Sequence, residues 1–225
     1  MTPFNPSIPV NIPAVLVSQV DGNMLKTLVA PVGRLAETLL RDAALDSGIV
    51  YHEYGHGLTW RMIGDMFGPV AGAIGEGASD TVAMLINGSD VVGAYSSGVQ
   101  DGIRRHRYAG YPLTYADVDG AEVHNDGEIF AAVMWRLIEL FGPARRSDLF
   151  TLFVDAMNYT PSFPTYEDMR DGQLQAVANS AYPSDRCTFW SAYAQFGIGV
   201  GSSAVINPDH SVTTSPSFAK PADCP

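Results

Sequence analysis

A chain of 225 residues is long enough for one domain, or one domain with part of a neighbour, and can hide a sizeable core from water. Hydrophobic residues make up 46% and charged residues 16%, a balance that favours collapse and excludes a disordered chain. The net charge of −11 repels polyanions, so no nucleic acid and no membrane surface is expected as a partner, and the one basic cluster is Arg104, Arg105 and Arg107.

In chain order, the first 20 residues read as irregular and extended, with prolines at 3, 6, 9 and 13 that break any helix and a short apolar strand at 12–17. No basic stretch precedes an apolar run there, so the chain as given carries no signal peptide. From about Asp46 the pattern changes to helices punctuated by Gly and Pro. Asp46 or Ser47 caps a first helix that runs to about Gly64, and Pro69 opens a second that runs through Ile86. Small residues at the start of the second helix let another backbone approach closely. A third helix covers 122–141 and is stopped by Gly142-Pro143. Three more are expected over 149–157, 166–181 (capped by Thr165) and 187–196. The segment 205–225 is rich in Ser, Thr and Pro without an apolar period, and reads as a tail or linker. Neither uncharged stretch, 1–20 or 187–208, is built to span a bilayer.

The strongest chemical signal is His52-Glu53-Tyr54-Gly55-His56. On a helix, positions four apart share a face, so the two imidazoles can converge on one ion while Glu53 leans over a water held there. A tetrahedral ion takes its third protein ligand from another element, and Glu76, in Gly75-Glu76-Gly77-Ala78-Ser79-Asp80, supplies a hard anionic oxygen from the neighbouring helix. Asp80, one turn on, is positioned to accept the free N–H of a ligand imidazole. His124 opens the third helix, and its candidate role is a hydrogen bond to the oxyanion formed when water attacks a carbonyl. Asp119 can orient it, with Glu122 equally near.

These motifs resemble the fungalysin family of secreted zinc metallopeptidases, relatives of the thermolysin-like enzymes. The likeness is carried by His52 through Thr59 and by Gly75 through Asp80. It extends to Arg41-Asp42 with Leu45-Asp46, Leu113 through Asp117, Glu122-Val123-His124 with Gly127-Glu128, and Phe189-Trp190 through Val200. It covers about 41–204. The resemblance implies a mainly α fold, the helical C-terminal lobe of a thermolysin-like zinc metallopeptidase, after a short irregular or β N-terminal segment. It implies one zinc ion per chain on His52, His56 and Glu76, Glu53 as general base and acid, and His124 as transition-state stabiliser. The implied reaction is endopeptidic hydrolysis of a protein or peptide, in an extracellular setting. Calcium is common among such enzymes, but no oxygen-ligand loop stands out, so none is assigned.

Members of that family carry a β-rich half upstream of the zinc helix, and no counterpart of its substrate-pairing strand stands before Arg41. Residues 8–30 instead resemble the last strand and helix of a protease-associated domain, with an ordinary N-terminal arm as the alternative. The expected organisation is therefore 1–40 as an N-terminal segment, 41–204 as the catalytic lobe and 205–225 as tail. On this reading the chain is the C-terminal part of a longer precursor, with an upstream propeptide or β-rich half as a partner. The rival functional reading is a non-catalytic zinc-binding fragment of such a metallopeptidase. Cys187 and Cys224 permit one disulfide, which would tie the tail to the last helix. Asn87-Gly88-Ser89 and Asn158-Tyr159-Thr160 match the glycosylation acceptor pattern and read as plain turn chemistry. Trp60, Trp135 and Trp190 fall at apolar helical positions and are expected in the core, and the Arg104–Arg107 cluster is expected as a solvated turn.

Overall fold

The computed structural model describes residues 19–29 and 41–225, and the chain divides into two units, 1–40 and 41–225. In the first unit the described element is helix α1 (Gln19–Lys26); the strand expected at 12–17 lies outside the described residues. The second unit carries α2 (Ser47–Met62), α3 (Pro69–Asn87), the short α4 (Ala94–Ser97), α5 (Val123–Phe141), α6 (Arg146–Ala156), α7 (Tyr166–Asn179) and α8 (Arg186–Gln195). A two-stranded antiparallel sheet, β1 (Ser203–Ile206) with β2 (Val212–Ser215), follows. The six helices expected from the sequence after Asp46 are all present, with ends that differ by at most three residues. None of the helices described is long and apolar enough to cross a membrane.

Local chemistry sets the helix ends. The Asp46 carboxylate accepts the Gly48 N–H at 2.9 Å at the start of α2, and also reaches the Ser96 N–H at 2.8 Å, tying α2 to α4. Thr165 and Asp168 form a reciprocal capping box on α7, as Thr165 alone suggested. Glu122 caps α5 through the Asn125 N–H at 2.8 Å.

α3 packs against α2 on one side and α5 on the other, and it is apolar nearly all round because both flanks are covered. Ala73, Ile74, Ala78, Val82 and Met84 are sealed from water on α3, as are Phe130 to Met134 on α5. The contact between these helices is made by backbone. A Cβ on Gly77 would stand 2.3 Å from the Gly127 carbonyl oxygen, and one on Gly55 would stand 2.6 Å from the Ser79 Cα. Small residues at both crossings thus allow three helices to close around Glu76.

The segment 205–225 is not a free tail. β1 pairs with β2 in the register Ser203 with Ser215 through Ile206 with Val212, and Cys224 is joined to Cys187 on α8 by a disulfide. The Val212 N–H donates to the Asp119 carbonyl at 2.7 Å, and the Gly199 N–H to Ser217 at 2.7 Å. Buried Arg170 on α7 donates to the carbonyls of Ile198 and Gly199, at 3.1 and 2.8 Å, and lies over the Trp190 ring. The strands, Ser-Ala-Val-Ile and Val-Thr-Thr-Ser, are held by backbone bonds and a crosslink and have no apolar alternation for a sequence reading to find.

Candidate metal centre

Along α2 the buried positions are Gly48, His52, Gly55 and Thr59, a stripe at helical spacing that faces α3. His52 on that stripe and His56 one turn later project to the edge of the α2–α3 contact, where Glu76 arrives from α3. The donor atoms converge: His52 Nε2 is 3.1 Å from His56 Nε2 and 3.2 Å from Glu76 Oε2, and His56 Nε2 is 3.5 Å from Glu76 Oε1. These three are the one group of potential ligands that gathers in this way among the described residues.

The cluster fits a small divalent cation. Bonds of about 2.0–2.1 Å at tetrahedral angles hold donor atoms about 3.3–3.5 Å apart, close to the 3.1, 3.2 and 3.5 Å seen here. Glu76 Oε2 is buried and receives no hydrogen bond, a costly state for a carboxylate oxygen unless a cation meets it. Burial opposes its charge, yet the neighbouring His52 and His56 imidazoles hold the Glu76 carboxyl well below the usual carboxylate range.

Asp80 stands against the His52 ring. Its Oδ1 lies 2.6 Å from His52 Nδ1, fixing that ring with Nε2 toward the cluster. It is also more heavily engaged than the sequence indicated: Arg104 donates Nε and Nη2 to its two oxygens at 2.7 and 2.8 Å, and the Tyr108 hydroxyl donates as well. Burial disfavours the charged form, but the Arg104 and His52 hydrogen bonds hold Asp80 down to about 2. For His52, burial works against the proton, and the Asp80 and Glu76 carboxylates outweigh it, raising the group to about 9. A cation bound at Nε2 competes with that proton.

The arginine cluster is solvated only in part: Arg105, His106 and Arg107 are exposed, but Arg104 is drawn inward. The Arg104 side chain is 7% exposed on Asp80, Arg105 pairs with buried Glu128 at 3.3 Å beside Tyr111, and Arg107 takes Asp90 at 2.7 Å. Arg104 and Tyr108 are the supports that sequence reasoning missed. Their partner lies 24 and 28 residues away, and no local period signals such a pair.

His124, at the start of α5, points Nε2 to within 3.3 Å of Glu76 Oε2 and so stands at the cluster, with its side chain half exposed. Its Nδ1 lies 2.6 Å from Glu122 Oε1. Asp119, expected as its support, is turned away: its carboxylate accepts the Ala121 N–H at 2.8 Å in a local turn, and its carbonyl is used by Val212. Glu53 lies on the exposed side of α2, clear of the buried stripe. Trp60 is the other correction. It is 57% exposed rather than in the core, with its ring 5.9 Å from the His56 ring; Trp135 and Trp190 are half-buried.

The family model of the fungalysin metallopeptidases (M36) matches residues 33–202, which include every element of this centre. The chain belongs to the fungalysin metallopeptidase family. Extracellular metalloproteinase 4 of Arthroderma otae is 33% identical over a match covering 79% of this chain and 33% of its own length. The protein of the same name from Arthroderma gypseum is 33% identical with 77% and 33% covered, and that of Trichophyton tonsurans 32% identical with 77% and 33% covered. The chain thus spans about a third of the length of the curated relatives it matches. Membership in this metallopeptidase family implies a metal ion, and the fit of His52, His56 and Glu76 to a cation agrees with it.

Proposed function

We propose that the chain is the zinc-carrying helical part of a secreted endopeptidase that hydrolyses peptide bonds in proteins, with residues 41–204 as its catalytic lobe and 1–40 as the end of a preceding domain. The observation that carries this reading is the convergence of His52, His56 and Glu76 beside a helix face that leaves Glu53 open to solvent. Two imidazoles and one carboxylate are the donor set of a catalytic zinc site with a position left for water. When bound, zinc supplies Lewis acidity, making water a nucleophile near neutral pH and polarising the scissile carbonyl.

The chain's own residues do the remainder. Glu53 takes the proton of the attacking water and returns it to the leaving amine. His124 donates a hydrogen bond to the oxygen that becomes negative as the carbonyl turns tetrahedral. Asp80, itself held by Arg104 and Tyr108, keeps the Nδ1–H of His52 engaged so that Nε2 faces the ion. The substrate is a protein or peptide, and the names of the relatives point to an extracellular place of work.

A non-catalytic zinc-binding fragment is the competing reading, favoured by the chain's matching only a third of its relatives' length. Hydrolysis of an unfolded protein with zinc supplied, by the native chain and by Glu53→Gln, separates the two. Cleavage by the native chain alone supports the enzyme, and equal cleavage by both overturns the role of Glu53. No cleavage by a folded, zinc-loaded sample supports the fragment. In parallel, Glu76→Ala is expected to lose most bound zinc while Glu53→Gln keeps it; equal zinc in Glu76→Ala and native protein would sink the ligand assignment.

A further inference from the structure

The C-terminal end of α3, about 16 Å along the helix from Glu76, adjoins two cavities. One, of about 210 Å³, is lined by Trp135, Ile138, Glu139 and Gly142; the other, of about 450 Å³, is lined by Leu85, Ile86 and Phe150. Pro143 and Arg146 line both, so the two spaces meet at the Arg146 side chain. A Cβ on Gly88 would collide with the Arg146 guanidinium, which therefore lies against bare backbone where α3 ends.

Arg146 is half-buried, and among the described residues it meets neither a carboxylate nor a hydrogen-bond acceptor. That sets it apart from its neighbours. Arg145 is bound by Asp148 and Asp185, and Arg136 by Glu139. Arg104, Arg105 and Arg107 each hold a carboxylate as well. The one acid on the walls of the two cavities is already engaged: Glu139 accepts the Trp135 indole N–H at 3.1 Å and an Arg136 N–H at 3.0 Å. The partial negative charge at the end of α3 favours a cation here, but it leaves the guanidinium fork free for a carboxylate. The chain has 24 acidic residues against 13 basic ones, and none of the described acids reaches this arginine.

We propose that this groove docks an extended peptide segment of another protein, in which one acidic residue lies between two large apolar ones. The carboxylate pairs with Arg146 through two parallel N–H···O bonds, and an apolar side chain enters the cavity on either side. An apolar cavity of about 150 Å³ already takes a benzene ring, so each space has room for one such side chain. The groove is separate from His52, His56 and Glu76, and the proposal goes beyond the peptidase reading without depending on it.

The test follows the Trp135 indole N–H signal, assigned by its loss in Trp135→Phe, in the 15N-labelled, zinc-loaded chain. Glu53→Gln is present throughout so that no peptide is consumed. Three short peptides blocked at both ends are added in turn, with the cores Leu-Glu-Phe, Leu-Gln-Phe and Ser-Glu-Ser. Leu-Glu-Phe is expected to shift the signal saturably, and the other two to bind about tenfold more weakly or worse. Arg146→Gln is expected to weaken Leu-Glu-Phe by about tenfold and to erase its advantage over Leu-Gln-Phe, at unchanged zinc content.

No shift with Leu-Glu-Phe overturns the proposal. So does equal binding of Leu-Gln-Phe, or an advantage that survives Arg146→Gln, because the carboxylate then does not meet Arg146. Equal binding of Ser-Glu-Ser overturns it too, leaving a bare anion contact without apolar recognition. Binding is read without turnover, so a native chain that cleaves nothing counts against the peptidase reading alone.

Discussion

The helical seam around Glu76 and the C-terminal stretch after α8 are joined to the rest of the unit in opposite ways. In the seam, α2, α3 and α5 touch through glycine and serine backbone, and one saturated carboxylate, Asp80, gathers a histidine, an arginine and a tyrosine. The C-terminal stretch has little core of its own and is stitched down by a disulfide, by Arg170 and by isolated backbone bonds. The first arrangement fixes atoms to fractions of an ångström where metal chemistry needs it. The second only has to hold a strand pair in place.

The largest test of this contrast is Asp80→Ala. It leaves buried Arg104 without its partner, so a loss of about 3–5 kcal/mol is expected in urea unfolding, along with most of the metal affinity. A loss below 1 kcal/mol would mean that Asp80 is a passenger. Next comes the crosslink. Cys187 and Cys224 are 37 positions apart, and Cys224→Ser is expected to cost about 3 kcal/mol. Amide exchange should quicken over 197–225 while the α2–α3 seam keeps its protection. Faster exchange at His52 or Glu76 would contradict the separation drawn between the regions.

Gly77→Ala places a methyl where the Gly127 carbonyl stands, and about 1–3 kcal/mol with a weakened metal site is expected. Gly57→Ala, on the exposed side of α2 and open to solvent, should be neutral or mildly stabilising. The smallest effect is in acid. Arg107 beside Asp90 holds its carboxyl below the ordinary value, with partial burial opposing. A depressed carboxylate contributes stability that is present above its unfolded pKa of about 3.9 and is lost as pH falls through the lower folded value. Asp90→Asn should therefore flatten a small part of the stability decline below pH 4 and leave the metal centre untouched; an unchanged acid limb would remove Asp90 from the account.

The two regions also differ in how far sequence reading could reach. His52, Glu53 and His56 announce themselves because the helix repeat turns spacing into geometry, and Glu76 and Asp80 share that property on α3. The caps Asp46 and Thr165 are readable for the same local reason. Arg104 and Tyr108 are not, since their link to Asp80 depends on how a 20-residue connection folds back across α3. The choice between Glu122 and Asp119 beside His124 was decided by a turn: Asp119 spends its carboxylate on the Ala121 N–H, and Glu122 has already been brought close by capping α5. Trp60 looked like core because its period is apolar, but that period falls on the solvent side of α2. The hairpin escaped because four-residue strands held by backbone bonds and one disulfide carry no alternation.

Asp80 also has a thermodynamic consequence. Four donors already occupy it, so the ring of His52 is oriented before any ion arrives. Capture of a cation then orders almost nothing further, and the free energy of binding goes into the bonds themselves rather than into restraining the chain. A chelator is therefore expected to strip such a centre while leaving the helices in place, which far-UV circular dichroism would show.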